Sequence, residues 1–166
     1  RRHHQLLRTH RAGGESGGAG GRPPSGSTDG AFLETPLGRF ELRDERKVAA
    51  IGETGLDRYR MHSPLEDQIV SFRAHALLAL ELDKPLIVHC RDAFEQVHDI
   101  LEETGAARVA VLHSWTGGTR WTRRFLDLGV MFSYSGVVAF ETGDTVRLGA
   151  RLVPPERAMV ETDTPY

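Results

Sequence analysis

The sequence predicts an α/β fold built on a parallel sheet, and three observations predict it. Short apolar runs suited to buried strands recur at Val48–Gly52, Pro85–His89, Val109–His113, Val130–Tyr134 and Ala158–Thr162. Segments with helical periodicity lie between them. Gly105, Gly129 and Pro154-Pro155 stand where those segments stop. The resulting order is β-α-β-α-β-α-β-α-β, and such alternation implies right-handed crossovers between parallel strands.

The first helix is expected from Ser63-Pro64-Leu65-Glu66, which reads as a capping box with proline at the first helical position. Leu65, Ile69, Phe72, Ala76 and Leu80 form its apolar face. The second follows Asp92, with Phe94, Val97 and Leu101 on one side and Gly105 as its stop. The third groups Trp121, Phe125 and Leu128 before Gly129. The fourth is expected over Asp144–Val153. Residues 31–46 stay ambiguous: Phe32, Leu33, Leu37, Phe40 and Leu42 are apolar, but Pro36 and Gly38 break any long element.

Composition narrows the class. The 166 residues suit one ordinary domain, and a net charge of −2 gives no global attraction to nucleic acid or membrane. A single cysteine rules out a disulfide scaffold and a cysteine-rich zinc module. No apolar run approaches the roughly 18 residues of a membrane span, and there is no signal-peptide pattern, so the expected location is cytoplasmic. Charge is uneven: residues 1–28 carry +4 and the remainder −6. Eight glycines between Gly13 and Gly30, with Pro23-Pro24 among them, mark 12–30 as disordered. The expected organisation is therefore a low-complexity, largely disordered segment over 1–46 and a catalytic-type domain over 47–166. The chain begins at Arg1, as a processed form or a fragment would.

Four residues capable of holding a metal fall at predicted strand ends: Glu53, His89, His113 and Asp163, separated by 36, 24 and 50 residues. A βα unit here takes about 25 residues, so the spacing is in register with the strands, one strand being skipped before Asp163. Strand C-termini are where ligands converge in parallel α/β folds. Two imidazoles and two carboxylates suit a divalent ion with oxygen and nitrogen ligands. Each also has a structural reading: Glu53 as a turn cap, the histidines as hydrogen-bonded core residues, Asp163 as a turn former before Thr164-Pro165.

At these residues the sequence becomes specific. Ile51-Gly52-Glu53-Thr54-Gly55-Leu56-Asp57, Val88-His89-Cys90-Arg91-Asp92-Ala93, Leu112-His113-Ser114-Trp115-Thr116-Gly117, Ser133-Tyr134-Ser135-Gly136 and Glu161-Thr162-Asp163-Thr164-Pro165-Tyr166 resemble the successive motifs of the TatD family. The resemblance spans 48–166. It implies a TIM-type (β/α) barrel, present here as a partial barrel of about five parallel strands, and a metal-dependent hydrolase with deoxyribonuclease activity. It further implies that Glu53 bridges two ions and that His89 and His113 hold one of them. Asp163 would bind the other and orient or deprotonate the attacking water. Arg91, two residues beyond His89 and so on the same side of an extended segment, is a candidate phosphate contact. Cys90 would face the opposite way, as a small buried hydrophobe.

The family's opening His-x-His strand is not recognisable: His3-His4 are adjacent and His10 stands alone. The resemblance therefore implies up to two ions, Mg²⁺, Mn²⁺ or Zn²⁺, with one site incomplete. The expected function is phosphodiester cleavage in DNA by a metal-activated water. One alternative is a non-catalytic remnant binding one metal or none. Another is amide or cyclic-ester hydrolysis, as related barrels perform. Five strands of an expected eight would leave open edges, so self-association is a further expectation. Arg120, Arg123 and Arg124 could form a small basic patch, and His62, His75 and His98 are read as surface histidines. The composition of 1–30 also suggests a segment foreign to the family's N-terminus, from a truncated or out-of-frame coding region.

Overall fold

A computed structural model describes the backbone of residues 31–35, 38–42 and 48–163. The disorder expected for 12–30 lies outside these residues. The chain divides into two units, 1–48 and 49–166. In the first, β1 (Ala31–Thr35) and β2 (Gly38–Leu42) pair antiparallel, from Ala31 opposite Leu42 to Thr35 opposite Gly38. This hairpin is the element that Pro36 and Gly38 obscured in the sequence.

The second unit holds five parallel strands: β3 (Ile51–Asp57), β4 (Leu86–Arg91), β5 (Ala110–Leu112), β6 (Met131–Tyr134) and β7 (Ala158–Val160). They pair in chain order, β3-β4-β5-β6-β7. A doubly wound sheet reverses its order at a switch point. A sheet that always advances to the next neighbour is winding toward a barrel.

The intervening helices are α1 (Leu65–Glu81), α2 (Phe94–Thr104), α3 (Thr119–Leu128) and α4 (Asp144–Ala150). Each packs on the next, forming one layer. The core lies between that layer and the sheet. Leu86, Val88 and Cys90 of β4 are buried in it, while Ile87, His89 and Arg91 alternate onto the other face. Cys90 is therefore the buried hydrophobe its position implied, and burial pushes its thiol pKa up.

Three sequence expectations are corrected. The capping box of α1 does not form: Pro64 is the N-cap residue without a side-chain bond, and the Gln68 amide instead donates to the carbonyl of Ser63 at 2.9 Å. The first strand of this sheet runs over Ile51–Asp57 rather than Val48–Gly52, because the Gly-Glu-Thr-Gly-Leu-Asp run itself extends along β4. The fourth helix ends at Ala150, a turn before Pro154. Two histidines also differ from expectation. His98 is 6% exposed and meets the Phe125 ring edge-on at 5.5 Å, while His75 is half-buried with Nδ1 3.1 Å from Thr54 Oγ1.

Among the described residues, β3 and β7 are the outermost strands of this sheet. All three residues of β7 are exposed, Val160 to 89%. Among the described residues no helix is long and apolar enough to cross a membrane.

Candidate metal centre

The Gly52–Asp57 run is shaped by its approach to β4. Ile51 pairs with Leu86 but Thr54 pairs with Val88, so β3 carries one extra residue at Gly52-Glu53. Such a bulge re-aims the side chain it carries. Gly55 has φ +134°, and a Cβ there would collide with the carbonyl oxygen of His89. Glycine at 55 thus lets β3 lie close enough to bring Glu53 over His89. Glu53 accordingly sits within its strand, at the bulge, not at the strand end that the sequence suggested.

Glu53 Oε1 lies 3.0 Å from His89 Nδ1 and 3.8 Å from His113 Nε2. His113, the first residue after β5, also places Nε2 3.4 Å from Asp163 Oδ1. The four predicted residues therefore form a chain of close pairs, His89–Glu53–His113–Asp163, running from within β3 and β4 to the segments that follow β5 and β7. The His89 hydrogen bond holds the Glu53 carboxyl below its ordinary pKa, outweighing the opposing effect of burial, with His113 adding to it. Glu53 in turn raises the pKa of His89 against the desolvation of the ring, with Asp57 contributing.

Two acids that the motif spacing did not single out as site residues complete the arrangement. Glu161, immediately after β7, accepts from His113 Nδ1 at 2.8 Å through Oε2 and from the Ser114 amide at 2.7 Å through Oε1. Burial alone would raise its pKa, but the Ser133 hydroxyl, the Ser114 amide and His113 together lower it. Asp57, the last residue of β3, accepts from His89 Nε2 at 3.2 Å. The only sequence signals were parity: Glu161 is two residues before Asp163, and Asp57 closes the motif that contains Glu53.

The loop bearing His113 is anchored by Trp115. Its indole N–H donates to Thr122 Oγ1 at 2.9 Å, and its ring makes edge contacts with Phe94, Phe125 and Phe132. A Cβ on Gly117 would enter that ring. Arg91 shares the face of His89, as expected, and its guanidinium lies 4.0 Å over the Tyr59 ring. Arg120 and Arg124 flank the Trp121 ring at 5.6 and 4.7 Å, and Arg123 is exposed.

Nitrogen and carboxylate donors of this kind suit a divalent ion, and here they meet in pairs: no three of the four lie within 4.8 Å of one another. Ligand bonds of about 2.1 Å place adjacent donors about 3.0–3.4 Å apart, and the observed pairs span 3.0–3.8 Å with mixed nitrogen and carboxylate chemistry. Among the described residues, the group whose donors all lie within 4.8 Å of one another is a different one, His98, Asp99 and Glu102 on α2. It follows from helical spacing, and Asp99 and Glu102 are exposed.

A barrel-type parallel sheet carrying histidine and carboxylate donors on its strands and the segments that follow them is the arrangement of a metal-dependent hydrolase, and the relatives bear that class. Within it, the chain belongs to the TatD-related DNase family, whose model matches residues 31–166 and so takes in the β1–β2 hairpin. The uncharacterized metal-dependent hydrolase YcfH of Escherichia coli is 42% identical over 126 residues, 75% of this chain and 48% of YcfH. The 3'-5' ssDNA/RNA exonuclease TatD of Pantoea ananatis is 37% identical over 150 residues, 89% of this chain and 57% of that protein. Among solved structures, the TatD homolog YJJV of E. coli superposes with a TM-score of 0.66 at 27% identity, covering 72% of this chain and 47% of YJJV. The chain thus spans about half the length of these relatives.

Proposed function

We propose that this chain carries the metal-binding part of a hydrolase that cleaves phosphodiester bonds in DNA. The observation behind this reading is the His89–Glu53–His113–Asp163 chain of close donor pairs. Glu53, His89, His113 and Asp163 would hold one or two divalent ions. A bound ion would polarise water and neutralise phosphate charge. Asp163, 40% exposed in its side chain, would orient the attacking water and take its proton at Oδ1. Arg91, on the His89 face, would contact the phosphate. The Pantoea relative's name favours single-stranded nucleic acid as the first substrate to try.

The test is calorimetric titration with Mn²⁺ followed by a substrate panel of single-stranded DNA, a small phosphodiester and an amide. Metal uptake lost in Glu53→Ala, with turnover confined to the phosphodiesters, is the expected result. Uptake without any turnover would favour the non-catalytic alternative, and turnover of the amide alone would overturn the substrate assignment.

A further inference from the structure

Each site histidine is gripped by an outer carboxylate, but at opposite nitrogens. Glu161 takes His113 at Nδ1, at 2.8 Å, which leaves Nε2 toward Glu53 and Asp163. Asp57 takes His89 at Nε2, at 3.2 Å, which leaves Nδ1 toward Glu53. A neutral imidazole has one N–H and one lone pair, and only the lone pair ligates a cation.

We propose that Asp57 is a positioning residue that keeps the proton of His89 on Nε2 and so presents Nδ1 as the lone pair for a divalent cation shared with Glu53. The inference rests on Glu53 and His89 being metal ligands. Asp57 is itself held in place, because its Oδ1 accepts from the amides of Tyr59 at 2.8 Å and Arg60 at 2.7 Å, which aims Oδ2 at the ring. Its side chain is 18% exposed, against 49% for Glu53. Glu53 Oε1 faces both imidazoles, so the proton on its side of His89 is the one a cation replaces. The proton on the Asp57 side has an anchored acceptor and stays.

Asp57→Asn tests this in the full chain. The amide oxygen retains both backbone bonds and turns an NH₂ toward Nε2, which moves the ring proton to Nδ1 and blocks the lone pair. Mn²⁺ affinity measured by calorimetry is expected to fall about 10–100-fold with the thermal transition little changed. In the ¹⁵N-histidine spectrum of the Zn²⁺-saturated wild-type chain, the His89 proton is expected on Nε2. If Asp57→Asn fails to fold, Asp57→Ala, which removes the acceptor at Nε2, takes its place and is expected to lose Mn²⁺ affinity over the same range. A proton on Nδ1, or Mn²⁺ affinity within about twofold of wild type in Asp57→Asn, would overturn the role of Asp57 while leaving the ligand assignment intact. No metal uptake by the wild-type chain would overturn both.

Discussion

Glu161 ties β7 to His113 across 48 residues, one carboxylate oxygen on the ring at 2.8 Å and the other on the Ser114 amide at 2.7 Å. Replacing it with alanine leaves the amide and the ring without their acceptor. Glu161→Ala is expected to cost about 1–3 kcal/mol of stability in urea titration and to weaken Mn²⁺ binding roughly 10–100-fold.

Gly55→Ala forces a Cβ into the His89 carbonyl at a φ of +134°. A loss of about 2 kcal/mol or more is expected, along with Mn²⁺ affinity, since β3 must lift off β4 and carry Glu53 away. Gly105 is the control. It too has positive φ, +71°, but open space around it, so alanine there is expected to cost only about 1 kcal/mol and to spare the metal. Equal losses at the two positions would refute the close-approach account.

Burial lowers the pKa of His75, against the effect of its Ser71 contact. The unfolded chain therefore takes up this proton first. The stability linked to His75 is complete above the unfolded value of about 6.5 and is lost as pH falls from there toward the lower folded value. The raised pKa of His89 acts oppositely: its contribution is present below about 6.5 and is lost as pH rises through the folded value. Urea titrations of wild type and His75→Gln across this range should differ by a smaller loss on acidification in the variant.

If Arg91 contacts phosphate, Arg91→Ala should weaken binding of single-stranded oligonucleotides uniformly across sequences and reduce the salt slope by about one. Arg91→Lys keeps the charge but loses the planar stack on Tyr59, and is expected to restore only part of the affinity. An unchanged slope would remove Arg91 from the substrate path.

Among the described residues the exposed strand β7, with Val160 at 89%, has a strand neighbour on one side alone. Concentration-dependent sedimentation is expected, with Val160→Lys shifting the chain toward monomer. Sedimentation as a monomer at all concentrations would refute the open-edge expectation.

What the sequence disclosed followed periodicity and local chemistry. Gly105 and Gly129 cap α2 and α3 with φ +71° and +90°, as their positions after the last apolar residue implied. The parallel sheet followed from the βα rhythm. The β3 bulge was hidden because it breaks the alternation: Ile51 and Leu56, the buried residues of β3, stand five apart, an odd spacing that does not read as one strand. Ser63 lost its cap to Gln68, which bonds across the loop as well as locally, its Oε1 accepting from the Asp57 amide at 2.8 Å. Asp57 and Glu161 act on rings 32 and 48 residues away, and no local spacing encodes such a bond. His98 was legible after all: it stands four residues from Phe94 and one from Val97, on the face that α2 buries.

The donor residues enter the chain in the order in which the sheet is laid down, Glu53 first and Asp163 last, 110 residues apart. If Glu53, His89, His113 and Asp163 hold a cation together, a nascent chain on the ribosome owns no finished site until β7 has emerged and docked. Metal capture would then report the docking of β7, and a cation present during synthesis could not reward the strands laid down before it.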